Sequence, residues 1–172
     1  DIKMSQRVVI LGAGYAGVAA ALHLNKHKKK DDIDITIIDK NHYHTLLTEL
    51  HEVAGNRVDE ESIRIPLTDI FKDTDVKVIQ DEIIDFNFEQ NHLESEKLNY
   101  VYDYLLMSVG SSPAYYGIEG LKEHCFTLWS YDDSVLLRDH IENCFRKATT
   151  EFDDNDKDER KRLLTFVVGG AG

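Results

Sequence analysis

Apolar positions near the start of the chain come in short unbroken runs, which are typical of strands rather than of amphipathic helices. The first run ends at Leu11, and the second covers residues 33–38, where every residue except Asp34 is β-branched. Runs of this kind fit parallel strands that are buried on both faces of a sheet. Because the alanine-rich stretch between them has a helical pattern, the chain is predicted to open with a strand, a helix and a second parallel strand.

Further runs of β-like residues follow at 76–79, 83–88, 92–98 and 104–109. The first three predict an antiparallel meander, since they are short and bounded by polar turns. The fourth is more apolar and leads into a glycine turn at Gly110. It predicts a buried strand that rejoins the first sheet, with its turn at the carboxyl edge, where ligands bind in such sheets.

Two other segments have apolar residues at helical spacing, and an extended segment lies between them. Residues 46–54 carry apolar side chains at helical intervals, and Gly55 follows them as a stop signal. Residues 62–67 predict a turn into an extended segment, because Pro66 disfavours helix at the position before it. Ser130 is predicted to cap a later helix. The apolar stripe of that helix consists of Leu137, Ile141, Cys144, Phe145 and Ala148.

The end of the chain changes character twice. Residues 149–162 are polar and highly charged, and they predict an exposed loop. Residues 163–168 are apolar and run into Gly170-Ala171-Gly172, which predicts a strand and the start of a second glycine motif. Since the chain stops inside that motif, we expect it to be a fragment of a longer protein.

The strongest chemical signal is the Gly-x-Gly-x-x-Gly motif that follows the first strand. Gly12 allows the tight turn, Gly14 lets the backbone approach a pyrophosphate, and Gly17 lets the helix pack close to the strand. Asp39 ends the next apolar run, 22 residues after Gly17. That spacing suits a carboxylate that binds the adenosine ribose. The pattern predicts a dinucleotide site, and both FAD and NAD use it.

Charge and cysteine content narrow the functional classes. The 172 residues include 20 basic and 32 acidic side chains, for a formal net charge of −12, which argues against general nucleic-acid binding. Cys125 and Cys144 have no metal-binding spacing and no His-Glu-x-x-His occurs, so we assign no metal ligand. No apolar run reaches the length of about 18 residues that a membrane helix needs. With no apolar signal segment before Arg7, the expected location is cytoplasmic.

Six stretches carry a resemblance to a known family. They are residues 11–17 with the glycine motif, Asn41-His42-Tyr43-His44, residues 50–55, Tyr102-Asp103-Tyr104-Leu105, residues 117–126 and residues 166–172. Together they cover nearly the whole chain and resemble the N-terminal part of the type II NADH:quinone oxidoreductases, which are FAD-containing flavoproteins with two dinucleotide-binding domains.

The resemblance implies an α/β fold. A Rossmann-like FAD-binding domain, with a parallel sheet plus an antiparallel β-meander, would be truncated at the start of a second dinucleotide-binding domain. Residues 1–112 would form the first half of the FAD-binding domain. Residues 113–162 would be a connector with one amphipathic helix and a charged loop, and residues 163–172 the first strand and glycine turn of an NADH-binding domain.

The same resemblance implies a set of FAD-binding residues. They are Gly12, Gly14, Ala16, Gly17, Asp39, Lys40, Thr48, Ile83 and Gly110. The first four would meet the pyrophosphate, and Asp39 and Lys40 would lie at the adenosine. Thr48 would approach the isoalloxazine ring, and the backbone of Ile83 would face adenine.

Gly110 belongs to a second flavin-contact stretch, which in the family usually reads Ala-Thr-Gly. Ser108 and Val109 depart from that pattern in this chain, so the resemblance carries over only Gly110, which keeps the turn.

The implied chemistry is transfer of a hydride from NADH to FAD, followed by delivery of two electrons to a quinone. FAD, NADH and a quinone are therefore the expected partners of the complete protein, with peripheral membrane attachment through a C-terminal region and a homodimer as its assembly. No catalytic residue is assigned in this chain, and the fragment alone is expected to be inactive.

Three alternatives bear on that function. A disulfide reductase of the same fold is disfavoured, because residues 46–55 contain no cysteine. A sulfide:quinone oxidoreductase-like flavoprotein would need reactive cysteines at the flavin, for which Cys125 is the only candidate outside the helix stripe. A non-catalytic nucleotide-binding or redox-sensing module is the third.

Overall fold

The computed structural model describes residues 5–29, 32–150 and 157–170. Its strands are β1 (Gln6–Leu11), β2 (Ile33–Asp39), β3 (Tyr43–Thr45), β4 (Arg64–Pro66), β5 (Lys77–Gln80), β6 (Ile83–Asn87), β7 (His92–Ser95), β8 (Asn99–Val101) and β9 (Tyr104–Met107). Its α-helices are α1 (Tyr15–His27), α2 (Leu50–Ala54), α3 (Leu67–Phe71), α4 (Leu121–His124), α5 (Tyr131–Thr150) and α6 (Lys157–Leu163).

The chain divides into two compact units. Unit 1 takes the described residues up to Leu46 together with Arg64–Ser112, and unit 2 takes Leu47–Ile63 and the described residues from Pro113 onward. The division into three segments at residues 112 and 162 stays a prediction.

Unit 1 is organised by a four-stranded sheet in the order β5-β2-β1-β9, in which every neighbouring pair is parallel. β1 pairs with β2 along its whole length and ends with Leu11 opposite Ile38. On its other side β1 pairs with β9, and Leu11 lies opposite Met107. The predicted return of the last apolar run to the first sheet is therefore confirmed, as is the α/β fold class.

The alternation of side chains along β1 feeds a separate core on each face of the sheet. One face is covered by α1 and α3, through Ala21 and Phe71. The other face packs against the meander, through Leu93 of β7. The buried β1 residues are Val8 and Ile10 on the first face and Val9 and Leu11 on the second. Burial on both faces explains why β1 has an unbroken apolar run.

The antiparallel meander consists of β6, β7 and β8. The prediction that residues 76–79 form its first strand was therefore wrong. Residues 77–79 of the run predicted as its first strand lie in β5, which pairs in parallel with β2. The physical reason is that the chain stays beside β2 to its end, where the Asp81 N–H donates to the Asp39 carbonyl at 2.9 Å. The run predicted over residues 92–98 ends at Ser95, and β8 forms after a turn.

β9 is less buried than its apolar sequence predicts. Tyr104, Leu106 and Met107 are 56%, 39% and 47% exposed. Among the described strands β9 has only β1 as a neighbour, so it forms an edge of the sheet and its outer side lacks cover.

An ion pair fastens the start of β9 to β1. The Asp103 carboxylate accepts from the Arg7 backbone N–H at 2.6 Å and from Arg7 Nη2 at 3.0 Å. The Arg7 side chain, more than its backbone N–H, lowers the pKa of Asp103.

Unit 2 contains α5, against which α2 packs. The predicted cap of α5 is confirmed, because Ser130 Oγ accepts from the Asp133 N–H at 3.2 Å. Asp133 Oδ2 in turn accepts from the Ser130 N–H at 3.0 Å, which completes a reciprocal capping box. Cys144 is buried, in agreement with its predicted role as a small core residue.

α2 is shorter than the helix predicted over residues 46–54. It begins at Leu50 and is preceded by a 3-10 turn over Leu47–Glu49. The chain just before that turn is in β3, which pairs with the extended β4 segment that Pro66 predicted. At the other end the predicted stop is confirmed, since the Gly55 N–H donates to the His51 carbonyl at 2.9 Å.

The predictions for the end of the chain were partly wrong. α6 occupies part of the predicted charged loop, because acids precede bases in it and suit the helix dipole. In this chain Leu163 closes α6, and residues 164–170 are assigned to no strand. That residues 163–168 form the first strand of an NADH-binding domain stays a prediction. Val167 and Val168 are 90% and 97% exposed. Gly172 lies outside the described residues.

We predict unequal losses of stability for alanine at the last two glycines of the motif. A Cβ at Gly17 would fall on the Gly12 carbonyl oxygen and 2.7 Å from Ser108 Oγ, whereas a Cβ at Gly14 meets nothing within 4 Å. Gly17→Ala should lower the free energy of unfolding by about 1–3 kcal/mol, and Gly14→Ala by less than about 1 kcal/mol. Urea unfolding followed by circular dichroism measures both, and equal losses would contradict the close packing at Gly17.

Candidate functional site

The parallel strands of unit 1 all end at one edge of the sheet. Because β1, β2, β5 and β9 run in the same direction, the residues that follow them meet there. Those residues include Gly12 after β1, Lys40 after β2, Asp81 after β5 and Ser108 after β9. The glycine motif and the acid predicted to bind ribose, Asp39, therefore lie at the same edge.

The first turn of the motif is closed by main-chain contacts that only glycine permits. Gly12 has a φ of +100°, a conformation that side chains disfavour, and a Cβ there would collide with the Ser108 carbonyl. Its N–H donates to the Ile38 carbonyl at 2.8 Å. With Gly17 packed on the Gly12 carbonyl, α1 begins tightly against the end of β1.

The second glycine faces open space instead. Gly14 is the N-cap residue of α1, with no side-chain cap hydrogen bond, and the first turn of α1 contains no acidic residue. Ala16 in that turn is exposed. An uncapped helix N-terminus beside a residue without a Cβ can receive a phosphate group. The cradle therefore fits the diphosphate of a dinucleotide.

Asp39 links the end of β2 to the glycine loop. Its Oδ2 accepts from the Ala13 N–H at 2.7 Å, and its Oδ1 accepts from the Asn41 N–H at 2.7 Å. The carboxylate is half-buried and keeps further acceptor sites, since an ionised carboxylate has about four. It can thus organise the loop and still accept from ribose hydroxyls.

Ser108 is a site residue that the sequence reasoning did not assign. Its N–H donates to the Leu11 carbonyl at 2.8 Å, and its hydroxyl lies 3.0 Å from that oxygen and 2.9 Å from the Gly12 carbonyl. The hydroxyl therefore serves the main chain of the loop. Gly110 follows with a φ of +76°. The departure of Ser108 from the usual alanine was the available signal.

Asp81 holds the meander at the same edge. Its Oδ2 accepts from Ser95 Oγ at 2.6 Å and from the Tyr100 hydroxyl at 2.5 Å. The hydrogen bond from Ser95, followed by that from Tyr100, lowers the pKa of Asp81. Burial, followed by the hydrogen bond to Asp81, raises the pKa of Tyr100 to about 12.

A polar cleft of about 410 Å³ opens beside Asp81. It is lined by Lys40, Gln80, Asp81, Glu82, Ile84, Glu96 and Lys97. Ile83 starts β6 next to it. Lys40 and Ile83, both predicted to lie at the adenosine, are therefore near one cleft.

Unit 1 thus contains all the predicted site residues except one. Thr48 lies in the 3-10 turn of unit 2 and is exposed. Its predicted approach to a flavin ring stays a prediction.

The described ranges offer little for other chemistry. In them no three His, Cys, Asp or Glu side chains come together in a way that could hold a metal ion. Cys125 is exposed, Cys144 is buried, and both are free thiols. No α-helix in the described chain combines the length and the apolar character that a bilayer crossing requires.

Comparison with known proteins gives a family match over nearly the whole chain. The pyridine nucleotide-disulphide oxidoreductase family matches residues 6–172. The type II NADH:quinone oxidoreductase of Staphylococcus haemolyticus is 33% identical over 167 residues, which are 97% of this chain and 40% of that protein. The protein of the same name from Staphylococcus aureus is 33% identical over 169 residues, with the same coverage. The chain spans about two fifths of the length of these curated relatives.

Solved structures share the fold at lower identity. The sulfide:quinone oxidoreductase of Aquifex aeolicus superposes with a TM-score of 0.74 at 20% identity, over 83% of this chain and 33% of its own. NDH2 of Plasmodium falciparum, solved in complex with NADH, gives a TM-score of 0.73 at 19% identity, over 89% of this chain and 32% of its own.

We predict that the ionisation of Tyr100 depends on Asp81. Asp81→Ala should move the pKa of Tyr100 from about 12 part of the way toward the ordinary tyrosine value. Burial, the larger cause of the raised pKa, remains in the variant, whereas the hydrogen bond to Asp81 and the charge of its carboxylate are lost. In the intact protein the raised pKa contributes stability below pH ~10, which is lost as the pH rises toward the folded-state value.

The measurement is a pH titration of tyrosine ring carbon shifts by NMR, assigned with Tyr100→Phe. Asp85→Ala is the matched control, since Asp85 lies in the same meander and accepts from the Phe86 N–H. A Tyr100 titration that stays unchanged in Asp81→Ala would contradict the prediction.

Proposed function

The chain belongs to the pyridine nucleotide-disulphide oxidoreductase family, and from that premise we propose that it is the FAD-binding portion of a type II NADH:quinone oxidoreductase. The relatives with that name are 33% identical over 97% of the chain. Because the chain spans 40% of their length, the activity proposed is that of the whole protein.

One observation carries the assignment of a dinucleotide to unit 1. The glycine loop combines an open side at Gly14 with an uncapped helix N-terminus, and the Asp39 carboxylate stands at the end of the adjacent strand. Diphosphate and ribose are the two groups that such a pair binds. FAD is the dinucleotide proposed here, because the sequence resemblance gives the first glycine motif to the flavin.

The proposed contacts follow the edge of the sheet. The loop glycines and Ala16 would hold the diphosphate, Asp39 the adenosine ribose, and Lys40 and the Ile83 backbone the adenine side. Gly110 would keep a turn near the cofactor, and Thr48 would approach the isoalloxazine. Bound FAD would supply hydride acceptance from NADH and delivery of two electrons to a quinone. The residues of this chain bind and orient, and none is proposed as catalytic.

A sulfide:quinone oxidoreductase is the second candidate, since one such enzyme shares the fold with a TM-score of 0.74. That likeness concerns the fold alone. Sulfide oxidation requires reactive cysteines at the flavin. Cys144 is instead buried in α5 beside His140, and Cys125 is an exposed free thiol. The two cysteines thus favour an NADH-dependent enzyme over a sulfide-dependent one.

The proposal extends to location and assembly. A quinone is lipid-soluble, so a protein that reduces one works at a membrane surface, and we propose attachment to the cytoplasmic face together with a homodimer. Flotation of the complete protein on liposomes and its mass in solution would test these two points.

We predict that the purified chain binds FAD and that Gly14→Ala weakens this binding at least tenfold. A methyl group at Gly14 would occupy the side from which the diphosphate approaches, yet it meets no protein atom within 4 Å. Calorimetry and flavin fluorescence measure the affinity, with NADH titrated in parallel. Selective NADH binding would overturn the flavin assignment, and no loss in the variant would remove the loop from the site.

Asp39→Ala should weaken FAD binding by about 1–3 kcal/mol. The variant loses the charge-assisted hydrogen bonds to the ribose together with the hydrogen bond that the Ala13 N–H donates to the carboxylate. Asp34→Ala is the matched control, since Asp34 lies on the same strand away from the ligand edge. Equal affinities of Asp39→Ala and the unmodified chain for FAD would exclude Asp39 from the site.

A further inference from the structure

We propose that His44 is a positioning residue of the glycine loop, which aims the Gly14 N–H at the diphosphate. The proposal rests on the FAD-binding function proposed above. It concerns a residue that the motif does not contain and that lies 31 positions from the peptide it holds.

His44 lies on β3 and is only 5% exposed. Its Nδ1 is 2.9 Å from the Ala13 carbonyl oxygen. Since a carbonyl oxygen only accepts, Nδ1 must carry the proton and donate it. The bond thus selects one tautomer of the neutral ring, in which Nε2 is unprotonated.

Ala13, at the centre of the loop, is held at both of its polar groups. Its N–H donates to Asp39 at 2.7 Å, and its carbonyl accepts from His44 at 2.9 Å. Both partners come from the segment that ends β2 and forms β3. Because Ala13 is 2% exposed, an unsupported carbonyl there would be costly.

The geometry of a peptide bond turns this support into orientation. In a planar trans peptide, the carbonyl of one residue and the N–H of the next point in opposite directions. The Ala13 carbonyl points to the buried His44 ring, so the Gly14 N–H points away from it. Gly14 is also the residue whose Cβ position is open to at least 4 Å. His44 therefore fixes the direction of a donor at the place proposed for the diphosphate.

An aromatic contact holds the His44 ring itself. The Tyr15 ring meets it edge-on, with centroids 4.8 Å apart and an interplanar angle of 87°. Such T-shaped contacts are a favoured aromatic geometry. Tyr15 is the first residue of α1, so the contact joins the histidine to the helix whose N-terminus would face the phosphates.

The test separates the hydrogen bond from the space that the ring fills. His44→Phe keeps a ring but removes the donor, and His44→Asn offers an amide N–H in place of Nδ1. His92→Phe and His92→Asn are matched controls, because His92 is a partly buried histidine of the meander that bonds Glu94 at 2.6 Å. Circular dichroism and urea midpoints identify the variants that remain folded.

Titration with FAD, ADP and adenosine, by calorimetry or by NMR, shows whether a loss of affinity concerns the diphosphate, because FAD and ADP contain one and adenosine does not. We expect His44→Phe to weaken FAD and ADP about three- to tenfold and to leave adenosine within about twofold. His44→Asn should restore FAD and ADP to within about twofold. The His92 variants should leave all three affinities unchanged.

Equal losses for adenosine and ADP in folded His44→Phe, or no recovery in His44→Asn, would overturn the positioning role. If the unmodified chain bound neither FAD nor ADP, the prediction that it binds FAD would fail, and the His44 inference would be decided by NMR of the peptide group that His44 bonds. The chemical shifts of the Ala13 carbonyl carbon and the Gly14 amide should then move in His44→Phe and return in His44→Asn, while the shifts of the β1 amides stay unchanged. Unchanged shifts of both groups in His44→Phe would refute the inference.

Discussion

The close approach of three backbone segments is the constraint on which unit 1 depends. Gly12, Gly17 and Ser108 meet where the end of β1, the start of α1 and the residue after β9 share one small volume. A side chain at either glycine would overlap main-chain atoms, which cannot move without the sheet. Because these contacts fix the start of α1, the direction of the helix N-terminus follows from them.

Hydrogen bonds then fix the orientation of the loop peptides and the position of the meander, which the steric contacts do not determine. Asp39 and His44 fix the two polar groups of Ala13, and Asp81 binds Ser95 and Tyr100 of the meander while its N–H bonds the carbonyl of Asp39. The diphosphate side and the adenosine side of the proposed site are thus joined through one residue, Asp39.

Much of this arrangement could be predicted from the sequence, because local patterns determine it. Unbroken apolar runs predicted β1 and β2, the glycine spacing predicted the turn, and Ser130 predicted the cap of α5. Relations between distant residues were harder. The run before Asp81 has the same pattern in a parallel strand as in a meander, and only its pairing with β2 distinguishes the two. The roles of His44 and Ser108 are hydrogen bonds to the loop backbone, which leave no periodic signal.

The bond between Ser108 and Leu11 joins residues 97 positions apart, and this separation predicts an order of events during folding. We expect the hairpins of the meander to form early, because they close over short distances, and the β1–β9 pair to form later, because closing a long loop costs more entropy. During synthesis, Gly12 and Gly17 are therefore present long before Ser108, the residue that packs against both of them. Nucleotide affinity should arise late in synthesis, once Ser108 has left the ribosome and β9 has docked.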